Sequence, residues 1–367
     1  MPPRIILTVT NDLVYDQRMQ RICGSLSRVG YEVWLVGRLR PDSAPLSPTT
    51  WRQVRLRCFF ERGKLFYLEY NLRLLFFLLF HRFDAVSAVD LDTLLPGFIA
   101  ARCKGKACIY DAHEYFTEVP EVVRRPAVKR AWELLAQLLI PRVDAAYTVG
   151  EGLARLLSER YGIPFAVVRN VPERGRGGEG ERESRIILYQ GALNEGRGLE
   201  QAIEAMQQLP DVQLWLAGEG DLSESLRGLS RRLGLDEQVR FLGYIRPGDL
   251  KKLTSQAAIG LNLLENKGLS YYYSLANKAF DYIQAGIPSI HMNFPEYRAL
   301  NDQFDVFLLL DTLTPEAIAI AIQRLLDDSA VYQQLHHHCL IAREVLNWEI
   351  EETRLIELYQ DVLSIDG

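Results

Sequence analysis

The chain of 367 residues lacks several features that would assign it at once. It has no long hydrophobic run. The longest, Leu74 to Phe80, has seven residues, against the ~20 that a membrane-spanning helix needs. It has no excess of positive charge: 42 Lys and Arg stand against 47 Asp and Glu. A net charge of −5 excludes a nucleic-acid binder that works through bulk charge. Cysteine is sparse and odd in number. Cys23, Cys58, Cys103, Cys108 and Cys339 lie in apparent helices or strands, which fits reduced intracellular thiols rather than a disulfide framework. Cys103 and Cys108 have no second ligand pair and His336-His337-His338 reads as a polar helix face, so no metal site is expected. The dinucleotide fingerprint Gly-x-Gly-x-x-Gly, the Walker A loop, His-Glu-x-x-His and the nucleophile elbow are all missing. Hydride transfer and ATP hydrolysis therefore lose support. Met1-Pro-Pro-Arg leads straight into a β-like run, so no secretory leader and a cytoplasmic location are expected.

What is present is ordinary for a globular protein: 48% apolar and 24% charged residues, at a length that suggests two domains. Apolar β-rich runs alternate with helical patterns. Strands are expected at Ile5–Thr10, Glu32–Val36, Ala85–Ala88, Ala107–Tyr110, Ala145–Val149 and Phe165–Arg169, with helices near Gln17–Val29, Leu94–Arg102 and Leu153–Tyr161. Repeated βαβ units predict a parallel sheet covered on both faces. The pattern breaks from Pro172 to Ser184, where four glycines and seven charged residues read as a flexible linker. A second series follows, with strands at Ile186–Tyr189, Gln213–Ala217, Val239–Leu242, Ile259–Leu263, Ser289–His291 and Val306–Leu310. Its helices fall near Leu199–Gln207, Leu222–Leu233, Pro247–Gln256, Leu275–Gln284 and Pro315–Leu326. Tyr332 to Ile365 looks helical with a break at Asn347-Trp348. The expected organisation is an N-terminal domain 1–172, a linker 173–184, a second domain 185–345 and a C-terminal helix 346–367. Both domains are doubly wound, and the ligand site is expected in the cleft between them at the carboxyl ends of the strands.

The candidate groups sit at strand-to-helix junctions. Ser274 reads as an N-cap and Gly286-Ile-Pro288 as a stop. Ser274, Asn277, Lys278 and Asp281 share one face by their spacing, and Ala276, Ala279, Phe280 and Ile283 the other. Such a helix start can hold a phosphate while Asp281 accepts from a sugar hydroxyl pair; an ordinary capped amphipathic helix has the same pattern. Gly191 opens a glycine-bearing turn with Arg197 beside the next helix start, again suited to a phosphate or to nothing more than a surface turn. Tyr244 could flank a planar base, and Glu265 projects toward the same edge as Lys278. In the first half, His113 follows a strand between Asp111 and Glu114 and could bond a sugar hydroxyl or stabilise charge. Asn11, Asp16 and Arg18 join the first strand to the first helix, with Arg18 able to reach an anion.

Together these residues resemble the retaining family 4 of glycosyltransferases (glycosyl transferase group 1) with the GT-B fold. The resemblance is carried by Asn11-Asp-Leu with Asp16-Gln-Arg18, Asp90-Leu-Asp-Thr93, Tyr110-Asp-Ala-His-Glu114 and Arg169-Asn-Val-Pro172. In the second half it is carried by Gln190-Gly-Ala, Arg197-Gly-Leu-Glu200, Phe241-Leu-Gly and Tyr273-Ser-Leu-Ala-Asn-Lys through Pro288. It implies two Rossmann-like domains, the first for the acceptor and the second for a sugar nucleotide, with no cofactor and no metal. It implies Arg197 and Lys278 on the diphosphate, Asp281 on the ribose and His113 at the transferred sugar. With the reading of the junctions, donor contacts are expected at Gly191, Tyr244, Glu265, Ser274 and Asn277, and acceptor-side or cleft positions at Asn11, Asp16, Arg18 and Glu114. The expected reaction moves a hexose-type sugar from a UDP- or GDP-sugar to a saccharide or lipid-linked hydroxyl, for glycan, polysaccharide or glycolipid synthesis. An epimerase or hydrolase, or a non-catalytic sugar-nucleotide binder of the same fold, is the alternative. The chain departs from the commoner pattern at Ala192, where many members have arginine, at Tyr273 and Asp281, where they have a Glu-x7-Glu pair, and in a first loop without paired glycines.

One segment stands outside this scheme. Residues 62–83, from Arg62-Gly-Lys-Leu-Phe-Tyr to His81-Arg-Phe, are aromatic and basic. The preferred reading is a buried helix of an α/β layer with charged ends; the other is peripheral contact with the inner face of a membrane.

Overall fold

Two parallel sheets organise the computed structural model, which describes residues 2–14, 16–175 and 185–365. Each belongs to its own unit: residues up to Asn170 with those from Glu351 onward, and Val171–Ile350. The first sheet holds β1 (Arg4–Thr8), β2 (Glu32–Leu39), β3 (Arg52–Arg57), β4 (Ala85–Val89), β5 (Ala107–Ala112), β6 (Ala145–Thr148) and β7 (Ala166–Val167), in the order β3-β2-β1-β4-β5-β6-β7. Its central strands are mostly Ile, Leu, Val and Ala, with the small Thr8 and Ser87 also buried, because helices cover both faces. Chain order reverses beside β1, where Ile6 pairs with Trp34 on one side and Val86 on the other. The loops that leave β1 and β4 therefore diverge and open a crevice at their carboxyl ends.

The second sheet holds β8 (Ile186–Gln190), β9 (Gln213–Ala217), β10 (Val239–Gly243), β11 (Ile259–Asn262), β12 (Ser289–Met292) and β13 (Phe307–Leu310), ordered β10-β9-β8-β11-β12-β13. Here the reversal falls between β8 and β11.

The expected strands and helices are found, most with their ends moved by a residue or two, and four readings need correction. First, β3 was not expected, because Arg52, Arg55 and Arg57 give it the polarity of a loop; it is an edge strand whose end residues Arg52 and Arg57 are exposed, while Arg55 is paired with Asp12 at 2.7 Å. Second, Ser274 does not cap a helix. The helix is Asn277–Ala285, its N-cap is Ala276, and the Ala276 N–H is taken by the Tyr297 hydroxyl at 3.0 Å. Third, the polar face of that helix is only partly open: Lys278 and Gln284 are buried with Ala279, Phe280, Tyr282 and Ile283, whereas Asn277 is exposed. Gly286 ends it in the left-handed conformation at φ 66°. Fourth, the helix α2 (Gly63–Phe80) is not a buried one. Phe66, Tyr70, Leu74 and Leu78 pack inward, whereas Leu65, Leu68, Leu72 and Phe76 are exposed. Of the stretch read as a linker, Arg174 and Gly175 are bonded within the second unit, to Glu349 and Gln284. Residues 176–184 lie outside the described residues.

The helix Trp348–Ile365 contributes its part beyond Glu351 to the first unit. Glu351 is 1% exposed and accepts from the Arg169 backbone N–H (2.9 Å) and guanidinium (3.1 Å). Tyr359 donates to Ser87 Oγ at 2.8 Å inside the core. Arg169 also donates to Glu151 at 2.6 Å, so removing Glu351 leaves the buried Arg169 N–H without its acceptor but not the whole charge unpaired. Glu351→Ala should lower the unfolding free energy by about 1.5–3 kcal/mol in a denaturant titration; a loss below about 1 kcal/mol would show that the helix is not held this way.

Candidate active site

In the second unit the carboxyl end of the sheet gathers cations. Gln190 ends β8, and Gly191 follows with its N–H on the Ala217 carbonyl (2.9 Å) and φ at 134°, a conformation closed to side chains. A Cβ at Gly191 would stand 3.3 Å from the Lys278 ammonium, so glycine also keeps the space that the lysine occupies. Lys278, in the first turn of Asn277–Ala285, is 8% exposed and lies 3.8 Å above the Tyr189 ring. The Tyr189 hydroxyl donates to the Ala192 carbonyl at 2.8 Å, which fixes the ring beneath it. Arg197 stacks over Tyr271 at 5.0 Å, and the Tyr271 hydroxyl donates to the Glu195 carbonyl at 3.2 Å.

Among the described residues neither cation has an ion-pair partner. Burial, and then the nearby Arg197 charge, pull the Lys278 ammonium well below its ordinary pKa, while Asp281 opposes the shift. Cation–π contact offsets part of that cost, yet a buried charge without a counter-ion favours an anion strongly. One turn on, the Asp281 carboxylate accepts from Gln190 Nε2 (2.7 Å), and Gln190 Oε1 accepts from Thr254 (2.7 Å). That chain orients the carboxylate beside the cations. Asn277 is the first helical residue, and Ser274 lies in the preceding turn beside Tyr297. Glu265 joins the glycine loop by its N–H on the Gly196 carbonyl (3.0 Å), but its carboxylate pairs with Lys267 at 2.9 Å. Tyr244 stands exposed after β10, two strands from β8.

In the first unit the crevice beside β1 holds a cavity of about 110 Å³ lined by Thr10, Asn11, Asp16, Arg18, Asp90, Asp92 and His113, with apolar neighbours. Asp16 caps α1 (Gln17–Arg28) by accepting from Met19 N–H at 2.9 Å, and Asn11 donates to its other oxygen. Arg18 is 4% exposed and bonded to the buried Asp111 at 2.7 Å, so its charge is already matched. His113 stands at the rim; its N–H donates to Asp90 (3.1 Å), and its Nδ1 lies 4.0 Å from the same carboxylate. Lost hydration, then the Arg18 charge, hold its imidazole below the ordinary value. Asp90 has φ 58°, rare for a residue with a side chain, and burial beside Glu114, Asp92 and Asp111 raises its carboxyl well up. Burial pushes Asp92 to about 6, against a Thr10 hydroxyl donating at 2.7 Å. Glu114 is exposed beside His113.

Tyr189, Tyr271, Gln190, Asp90 and Asp92 were not read as site residues from the sequence. Tyr189 sits in an apolar strand and looks like core. Asp90 lies in a turn already quoted, but its backbone strain has no mark in the sequence. Among the described residues no group of three or more His, Cys, Asp or Glu could hold a metal ion. The histidine run is structural in part: His336 bonds the Gly286 carbonyl and His338 meets Asp305.

Two family models match, Glycosyltransferase Family 4 over residues 17–172 and Glycosyl transferases group 1 over residues 175–339. The chain belongs to the family 4-like GT-B glycosyltransferases. Among curated proteins it is 27% identical over 181 residues to the lipopolysaccharide core biosynthesis glycosyltransferase LpsD of Rhizobium meliloti, 49% of each chain. It thus spans about half the length of that relative, and less of the other curated relatives it matches. Among solved structures, sucrose-phosphate synthase of Thermosynechococcus elongatus superposes with a TM-score of 0.83 at 17% identity, covering 99% of this chain and 100% of that one. HepE of Anabaena, in complex with UDP and glucose, gives 0.75 at 14% identity over 97% and 99%. At these identities the likeness is one of fold, and the fold is GT-B.

The Asp92 carboxyl supplies a pH test of the first-unit site. Its pKa is higher folded than unfolded, so the native state holds the proton more tightly. The ionised form therefore destabilises the fold above pH about 6, and the penalty fades as pH falls toward the unfolded value. Asp92→Asn, which still accepts from Thr10, should be more stable than the parent by about 1–3 kcal/mol at pH 8 and nearly equal to it at pH 4. A constant difference across that range in denaturant titrations would contradict the assignment.

Proposed function

We propose that the protein is a metal-independent, retaining glycosyltransferase that moves a hexose-type sugar from a UDP- or GDP-sugar to a hydroxyl of a saccharide or lipid-linked acceptor. The observation that carries this reading is the pair Lys278 and Arg197, two neighbouring cations on aromatic beds without a carboxylate partner. Breaking the bond from the anomeric carbon to the diphosphate leaves positive charge on the sugar and negative charge on the phosphate. Cations fixed in advance stabilise the developing charge, usually the largest single contribution to such catalysis. In front-face transfer the acceptor oxygen bonds to the anomeric carbon on the side that the diphosphate leaves, and its proton passes to the leaving phosphate. No protein nucleophile is then required. Asp281 is assigned the ribose hydroxyls, and His113, neutral near pH 7, the transferred sugar. The relative named for lipopolysaccharide core synthesis and the fold neighbour seen with UDP and glucose support glycan synthesis and a nucleotide donor. A cytoplasmic location fits such donors.

A second reading, a binder without turnover, is favoured by Tyr273 and Asp281 in place of the usual acidic pair. A thermal-shift screen of UDP-, GDP-, ADP- and dTDP-sugars finds the donor, and acceptor trials with that donor separate the readings. The product should keep the donor's anomeric configuration by NMR, and turnover should survive chelation. Lys278→Ala and Arg197→Ala should each reduce transfer at least about 100-fold with an unchanged circular dichroism spectrum. Near-normal transfer in either variant would remove the diphosphate assignment. His113→Ala should lower kcat far more than donor affinity; equal losses would move His113 away from the reacting sugar.

A further inference from the structure

The residue after β4 departs from what its place in the chain calls for. Asp90 stands at the N-cap of α3 (Leu91–Lys104), where an aspartate ordinarily accepts from an N–H of its own helix. Asp90 makes no such bond. Its backbone is at φ 58° and ψ 171°, close to a region populated essentially by glycine. A strained residue that leaves its helix start uncapped is held in place by contacts elsewhere.

Those contacts are with the end of β5. The Asp90 N–H donates to the Asp111 carbonyl at 2.8 Å, and the Asp90 Oδ1 accepts the His113 N–H at 3.1 Å. The unusual φ turns both groups of one residue toward the same neighbouring chain. Asp111 is itself fixed, buried with its carboxylate on Arg18 at 2.7 Å and paired in the sheet with Val89 and Tyr147. Ala112 pairs with Thr148, and His113 is the first residue past that ladder. Asp90 therefore extends the rigid frame by one residue, to His113. The second Asp90 oxygen lies 4.0 Å from the His113 Nδ1, beyond hydrogen-bond reach, so the carboxyl acts on the backbone rather than on the ring. Both residues line the cavity beside β1.

We infer that Asp90 is a positioning residue for His113, its carboxyl clamping the His113 N–H so that the imidazole is set at the crevice rim before a sugar arrives. The inference rests on the proposed transfer reaction for its kinetic readout alone; the clamp itself is measured without turnover.

Two substitutions separate the clamp from other roles. Asp90→Gly adopts the same backbone without strain and keeps the bond to Asp111, but has no clamp. Asp90→Asn keeps the shape and an accepting oxygen. In the full chain, Asp90→Gly should unfold within about 4 °C of the parent and keep its donor affinity. Its kcat should fall about 10- to 100-fold, and Asp90→Asn should recover most of that loss. Exchange of the His113 amide, followed by NMR without substrates, should be at least about tenfold faster in Asp90→Gly and near the parent rate in Asp90→Asn. Parent-like kcat in Asp90→Gly would reduce Asp90 to a structural staple and overturn the inference. A kcat loss in Asp90→Asn as large as in Asp90→Gly would also overturn it, because a carboxyl at the substrate would then be required. Unchanged amide exchange in Asp90→Gly would do the same. If the parent transfers sugar from no donor, the proposed reaction fails, and the amide exchange alone decides the clamp.

Discussion

An ammonium group held away from water with another cation nearby is costly in any fold, and Lys278 is in that position. Much of the second unit's local structure can be understood as what makes it tolerable. Tyr189 offers the face of its ring, and its hydroxyl is tied to the Ala192 carbonyl so that the ring cannot turn. Gly191 keeps clear the space above the strand end. Behind the lysine, the buried His291 is held neutral by burial and by the Lys278 charge, and is fixed between Asn262 and Ser289. The one carboxylate that acts on the lysine, Asp281, is itself bonded to Gln190, and a ligand phosphate is the proposed complement to the remaining charge.

The first unit has the opposite character. Its crevice is lined by carboxyls, of which Asp111 is matched by Arg18 and Asp16 is engaged in capping α1, while Asp90 and Asp92 are held toward their neutral forms. The crevice thus offers hydrogen-bonding groups, Asp92 with Thr10 and Asp90 with the His113 backbone N–H, rather than unpaired cations. The strained backbone of Asp90 places its carboxylate under His113, and strain of that kind persists where surrounding contacts over-determine it. The two units thus differ in charge, with carboxyls lining the first crevice and Lys278 and Arg197 at the strand ends of the second sheet.

How much of this was legible in the sequence depended on how local each cause was. Strands buried on both faces are short runs dominated by apolar residues, so β1, β4, β8 and β11 could be placed within a residue or two. Lys278 and Arg197 were singled out because glycines and a helix start surround them. The Ser274 cap failed because the donor that it would have satisfied is bonded by Tyr297, a residue more than twenty positions away in sequence. The edge strand β3 was hidden by its arginines. For α2, composition gave a helix but not its two stripes' environments, because burial is decided by what packs against it. Tyr189 was invisible for the same reason: a buried aromatic in a strand says nothing of the cation above it.

The central claim is that Lys278 and Arg197 bind a diphosphate. Its most direct measurement compares, by calorimetric titration, the nucleoside diphosphate that binds with its own nucleoside, on the parent chain and on Lys278→Ala. Two charge-assisted contacts of about 1.5 kcal/mol each predict a diphosphate at least about 100-fold tighter than the nucleoside on the parent, with most of that advantage lost in the variant. Equal affinities for the two ligands on the parent, or an undiminished advantage in the variant, would contradict the account.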